Sequence, residues 1–488
     1  MFINISNPNY YNLYFVAPII CFWTAIIFCN LKYFQSLLLK ILNYTKDKIN
    51  ITWVSFLFLI PSTIIAWTLP LTYDESYTFL QFVNKSFFYA IATYPAPNNH
   101  IFHSILSNLI WHLFGWIGNP IIVRIPALFF SFLLINVVFT NIKNHKLFYT
   151  ILFSCALLLN LPFLSYTFQA RGYIFQALFA TLSLIVIFKN SENITFKHQN
   201  ELLLLLSGIG LYTSPAYLYS FLTFYAVFLI KNLPKAIDNY LWLLKSAFFF
   251  TLTIITLYSP IIIFRGYESL ISNKFVRSMK TVDFDFIIQH YFQVLIEISG
   301  GYIYFTVLLI TIIYFARKNR RPEIIILFIL PLVLMIALKQ TPFSRIFLPI
   351  IIGMTSLCVL DIADNYTIPK KIENILSPII LVLLLIFIPS CFLKTSHGGI
   401  DTSSNIKSIG PYLHKNFLID NSTQEHVKIC AEALLTIKKI KYQKGSFTNT
   451  SLKEGDVILF TEPMYNLDVF KLDSVTSYGK KVYIGKKY

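Results

Sequence analysis

Apolar runs of roughly 16–22 residues, broken by short polar stretches, fill most of the chain, and about 20 helical residues cross a bilayer's hydrocarbon. The runs predict spans near 13–32, 51–70, 121–140, 147–164, 173–188, 201–213, 216–231, 243–263, 301–316, 323–338, 346–361 and 376–393. The segment 100–115 is also apolar, but it carries His100, His103, Asn108 and His112 and reads as an interfacial or re-entrant helix. From about residue 395 the pattern changes. DVILF (456–460) and KKVYIGKKY (480–488) alternate like strands, and EHVKICAEALLTIKK (425–439) has helical spacing. The predicted architecture is an all-α polytopic membrane domain over 1–394 with about twelve transmembrane helices, followed by a small α/β domain over 395–488.

Composition supports this reading. Mean hydropathy is +0.62, 56% of residues are hydrophobic and 13% are charged. That is about half the charged share of a soluble domain, so the excess apolar surface must face lipid. The net charge of +17 would suit a nucleic-acid partner, but the basic residues lie in short interspan loops and in the tail. Phe and Tyr sit in and beside the spans, where interfacial aromatics belong. Nucleic acid is therefore not an expected partner; membrane lipid is. The N-terminal MFINISNPNYYN has no basic n-region, so the run after it reads as a span and not as a cleaved signal. Cys21, Cys29, Cys155 and Cys358 lie in apolar runs as small hydrophobes, while Cys391 and Cys430 are candidates for pairing on an oxidising face.

The loops near 32–50, 141–147, 189–200, 231–245, 317–322 and 362–375 hold about twice the Lys and Arg of the alternate loops, which makes them cytoplasmic. The large loops 71–120 and 264–300 and the tail then share the outer face.

Candidate chemistry gathers on that face. LTYDESYTF (71–79) puts Asp74 and Glu75 directly after a span, where acids are costly to desolvate and tend to be either solvated or functional. In YPAPNNHIFHSIL (94–106), His100 and His103 share a helical face, so they are candidate ligands for a divalent metal or hydrogen-bonding partners of a substrate. Asn98 and Asn99 stand beside them as candidate substrate contacts. Outward arginines run against the positive-inside rule. Arg124, at the start of a span, reads as a snorkelling anchor; Arg171 and Arg345, between spans, read either as anchors or as a phosphate site. A carboxylate with arginines at headgroup level suits attack on a sugar held on a lipid phosphate. No Gly-rich phosphate loop opens a helix, which speaks against a nucleotide-sugar donor.

In order and spacing, DE at 74–75, PNNHIFHSILSNLIWHLFG at 97–115, VRIPALFFSFLL at 123–134, QARGY at 169–173 and SRIFLP at 344–349 resemble the GT-C membrane glycosyltransferases. That broad group includes the protein O-mannosyltransferases and the lipid A aminoarabinose transferase. The likeness covers roughly 50–360, with the span at 13–32 preceding it. It implies Asp74 as the essential acid, Glu75 as an accessory, a polyprenyl- or dolichyl-phosphate sugar donor, inversion, and a phosphate site at Arg171 and Arg345. The chain departs from the group at Pro97-Asn98-Asn99-His100, where Pro-Pro-Leu or Glu-Lys-Pro is usual, and at Gln169, where the group has Glu. The abundant Asn, Ile, Lys and Tyr point to an AT-rich, bacterial genome and so to a polyprenyl carrier at the cell membrane. The competing classes are a transporter or flippase, a polymerase or ligase for lipid-linked saccharides, and a non-catalytic assembly subunit. A transporter would place ionisable residues near the bilayer midplane, and the spans here are nearly free of charge.

Overall fold

A computed structural model of the chain describes residues 49–94, 99–142, 147–158, 160–188, 195–266, 268–271, 277–278, 284–318, 323–365, 417–423, 425–447, 452–453, 456–460, 470–477 and 480–487. The expected spans 13–32 and 376–393, Asn98 and Cys391 lie outside these residues.

The described chain opens with α1 (Ile49–Thr68), α2 (Tyr73–Thr78), α3 (Phe87–Ala92) and α4 (Ile101–Phe114). The bundle continues with α5 (Ile121–Asn141), α6 (Leu147–Leu158), α7 (Leu161–Phe168), α8 (Tyr173–Phe188), α9 (Phe196–Thr213) and α10 (Leu218–Lys231). Next come α11 (Leu233–Asp238), α12 (Tyr240–Arg265), α13 (Glu268–Ile271), α14 (Phe284–Ile298), α15 (Tyr302–Lys318), α16 (Glu323–Leu338) and α17 (Leu348–Asn365). A short antiparallel pair, β1 (Arg277–Ser278) with β2 (Gln340–Thr341), ties the stretch between α13 and α14 to the segment before α17.

The expected spans among the described residues are helical, but 147–164 is not one helix. Asn160 breaks it by accepting a 2.8 Å bond from the Phe163 amide, with Pro162 in the first turn of α7. The α7–α8 pair then bends by 115° and α14–α15 by 100°. By length and composition, three described helical stretches can cross a membrane, or up to five if each bent pair is one span. Several others are shorter than the ~20 residues a crossing takes, so the described residues do not establish the count of about twelve. Helix α4, at 14 residues, is also shorter than a crossing takes. Its polar face is buried, and Asn108 bonds the carbonyls of Val83 and Lys85, both at 2.8 Å.

The centre of the bundle is α8, apolar all round and buried along nearly its whole length, as a core helix should be. It packs on α5, α9 and α17. At the α8–α17 contact a side chain on Gly353 would lie 2.9 Å from Leu184 Cδ1, so glycine sets the closeness of that pair. By contrast α12 exposes Leu244, Phe248, Phe249, Leu252 and Ile255, a surface suited to lipid.

The C-terminal residues form the expected α/β unit. It comprises β3 (Phe417–Asp420), α18 (Glu425–Ile437), β4 (Tyr442–Gly445), β5 (Val457–Phe460), β6 (Phe470–Ser477) and β7 (Lys480–Lys487). The strand order is β4-β3-β5-β7-β6; β3 is parallel to β4 and β5, and β7 is antiparallel to β5 and β6. Phe417, Ile419, Val457, Leu459 and Ile484 of the sheet and Val427, Ala431 and Leu435 of α18 make its core. Cys430 is buried and has no disulfide partner among the described residues.

Candidate active site

The adjacent acids of α2 do different work because neighbouring helical residues point to different sides. Glu75 points inward and is fully buried against Arg124, which is buried too. Arg124 Nε and Nη2 meet Glu75 Oε1 and Oε2 at 2.8 and 2.7 Å, a fork-to-fork pair. The remaining N–H groups of Arg124 bond the carbonyls of Ala66 (3.0 Å), Leu69 (2.7 Å) and Pro70 (2.9 Å), where α1 ends. Glu75 also accepts from the amides of Thr72 (2.9 Å) and Ala170 (2.7 Å). Burial alone would raise the Glu75 carboxyl. The Arg124 charge and these hydrogen bonds outweigh it and hold the group below its ordinary value. Arg124 is thus no snorkelling anchor: all five of its donors are used inside the protein.

Asp74 points the other way and is one-third exposed. Its Oδ2 lies 2.9 Å from Arg171 Nη1 and 3.1 Å from Arg345 Nη1. Arg345 donates a hydrogen bond there, whereas the Arg171 contact is an ion pair with poorer alignment. Three helix ends therefore converge: the start of α2, the α7–α8 turn with Arg171, and the 3₁₀ turn Ser344–Phe347 before α17 with Arg345. Arg171 is buried and Arg345 half-buried, and both stand over the Tyr173 ring, at 5.4 and 5.9 Å. Two guanidinium groups face one carboxylate, so the cluster carries an excess positive charge that suits an anion.

Behind this cluster sits His100, the residue that opens α4. Its ring meets Tyr173 edge-on at 4.5 Å, and Tyr166 lies 4.9 Å from Tyr173. His100 is buried, and neither ring nitrogen has a hydrogen-bond partner among the described residues. Burial, then the charges of Arg171, His103 and Arg345, push its proton affinity well below the ordinary histidine value. The ring is neutral, with one donor and one acceptor to offer. Gly172 permits the approach: a side chain there would lie 2.4 Å from Thr213 Cγ2 and 3.0 Å from His100 Cβ.

Two other sequence candidates have local tasks. Asn99 gives its amide hydrogens to the carbonyls of Ala90 (3.0 Å) and Thr93 (2.7 Å) and accepts from Ser104 (2.8 Å), so it braces its own loop instead of facing Asp74. His103 is buried with Nε2 3.3 Å from Ser107 Oγ and its ring beside Phe175. The metal reading of His100 and His103 needs a third ligand, and among the described residues no three His, Cys, Asp or Glu side chains gather for one. Sequence reasoning missed the Glu75–Arg124 clamp and the tyrosines around His100. The available signal for the clamp was an arginine next to a span start on the face where basic residues are disfavoured.

No protein-family model and no curated protein matches the chain. Among solved structures, two crystal structures of ArnT from Cupriavidus metallidurans match. The apo form has 10% identity and a TM-score of 0.53, covering 92% of this chain and 98% of that one. The fold is ArnT-like. The second ArnT structure, bound to undecaprenyl phosphate, has 11% identity and a TM-score of 0.53, covering 90% of this chain and 98% of that one. The ArnT likeness thus extends beyond the 50–360 stretch of the sequence resemblance.

Proposed function

We propose that the chain is an integral membrane glycosyltransferase that moves a sugar from a polyprenyl-phosphate carrier to an acceptor outside the cytoplasm. The observation that carries this reading is the convergence of Arg171 and Arg345 on Asp74 at helix ends, beside a buried His100 whose ring nitrogens have no hydrogen-bond partner among the described residues. The ArnT-like fold, seen in one case with undecaprenyl phosphate, supports a lipid-phosphate ligand.

In the proposed reaction Arg171 and Arg345 hold the donor phosphate, and the sugar lies toward His100 and the tyrosines. An acceptor hydroxyl attacks the anomeric carbon from the far side. The new C–O bond forms as the bond to the phosphate oxygen breaks, with inversion, and the lipid phosphate leaves with the electron pair. The acceptor's proton passes to the Asp74 carboxylate. The arginines stabilise the phosphate as its charge grows. Glu75 is a positioning residue in this scheme, since its oxygens are committed to Arg124 and two amides.

A carrier that flips lipid-linked saccharides would need its charged groups along a path through the bundle. Here Asp74, Arg171 and Arg345 stand together at helix termini, which favours the enzyme. Mass spectrometry of envelope glycans with and without the gene tests the proposal. A sugar missing from one glycan class in the deletion is expected; unchanged glycans would overturn it.

A further inference from the structure

The C-terminal helix α18 touches the acid-bearing helix directly. Alone, α2 is far below the ~12–15 residues at which a helix becomes marginally stable in water, so its position depends on packing. The Glu75 clamp holds one side of it. On the other side lies α18.

Two stripes run along α18. Val427, Ala431 and Leu435, with Cys430, enter the core of the sheet. His426, Cys430, Ala433 and Ile437 recur at helical spacing on the adjoining stripe and meet the membrane domain. The His426 ring stands 4.2 Å from Tyr73, edge-on. The Cys430 thiol lies on the side of Ser76, and burial pushes it up to about 12 and keeps it protonated. Ala433 and Ile437, both fully buried, join Leu71, Phe79, Trp111, Val123 and Ala170 in one apolar cluster. That cluster includes residues flanking α2 and the residue before Arg171. The helix is therefore shared between two cores, and small side chains at 430 and 433 allow the close approach.

From this geometry we propose that the C-terminal domain is a working part of the transfer site: α18 is the wall that holds α2, and with it Asp74, in register with Arg171 and Arg345. The proposal rests on the glycosyltransferase reading for its consequence, but not for its geometry. If α18 is displaced, Asp74 loses the wall of its helix, while Arg345 is carried by the turn before α17 and Arg171 keeps its own contact with the Tyr173 ring. Transfer falls, yet the phosphate site keeps both arginines and loses the carboxylate that competes for them.

The test has two parts. Ser76→Cys placed against native Cys430 should form a disulfide under mild oxidation, read as a 76–430 cross-linked peptide; its absence would overturn the contact whatever the protein does. Ala433→Trp, a wedge between the helices, should lower transfer about ten- to a hundredfold, the scale of an ångström-level misplacement. Transfer is read as restoration of the missing glycan in cells lacking the gene. Undecaprenyl phosphate binding in detergent micelles should stay within about twofold or tighten, as expected when a competing carboxylate withdraws. Ala433→Ser, close in volume, should behave as wild type. Full transfer in Ala433→Trp would overturn the positioning role, and so would parallel loss of transfer and binding, which a merely structural wall would give. Should the wild type itself transfer no sugar, the disulfide still decides the contact.

Discussion

Replacing Arg124 with Met removes a cation that ties the end of α1 to helix α2 and, through Glu75, to the α7–α8 turn. Adding its five hydrogen bonds at ~1.5–3 kcal/mol each would overstate the loss, because contacts from one side chain are not additive. The better guide is the cost of stripping one partner from a buried pair, about 3–5 kcal/mol. Most of that is the burial of Glu75 without its cation, since both its oxygens lie in a dry site. Local opening of the loop should therefore become about two to three and a half powers of ten more frequent. Hydrogen exchange followed by mass spectrometry reads this opening at the amides of Thr72 and Ala170, which donate to Glu75, and of Ser76, which donates to Thr72. The double variant Arg124→Met with Glu75→Gln should regain part of the protection, because no charge is then left unpaired. Protection unchanged in the single variant, or a double variant worse than the sum of the singles, would refute the clamp.

Arg345→Ala removes one charged contact from the phosphate site, and undecaprenyl phosphate should bind about ten- to a hundredfold more weakly; unchanged affinity in a titration would count against the assignment. In Gly172→Ala the new methyl overlaps Thr213 Cγ2 and crowds His100. A cost of about 1–3 kcal/mol is expected in thermal unfolding, and Thr213→Ser, which deletes the offending methyl, should recover much of it. The depressed Glu75 carboxyl adds stability that is fully present above its unfolded value of 4.5 and is lost as pH falls through the lower folded value. Exchange protection of the Ala170 amide should accordingly hold from pH 7 to about pH 4.5 and decline below it, and Arg124→Met should abolish this dependence.

The helices were legible because a bilayer demands long apolar runs, and the strands and helix of the C-terminal unit because their periods differ. Asp74, Arg171 and Arg345 stood out for a related reason: each places charge where the membrane disfavours it. What the pattern hid is directional. Asp74 and Glu75 are adjacent and chemically alike, and only the helix α2 sends one toward solvent and the other to Arg124. Arg124 carried the signature of an anchor, and nothing local reveals that the α1 carbonyls of Ala66, Leu69 and Pro70 fold back onto it. The break at Asn160 lies inside an apolar run, so hydropathy reads through it. Contact between α18 and α2 joins segments at opposite ends of the described chain, which no short-range pattern encodes.

The central claim is that Asp74 takes the acceptor's proton while Arg171 and Arg345 hold the donor phosphate. Asp74→Asn keeps the side chain's shape and removes its basicity, so it addresses that claim most directly. In cells lacking the gene, this variant should insert at wild-type level and bind undecaprenyl phosphate at least as well as wild type, yet fail to restore the glycan. Restoration at the wild-type level would contradict the account.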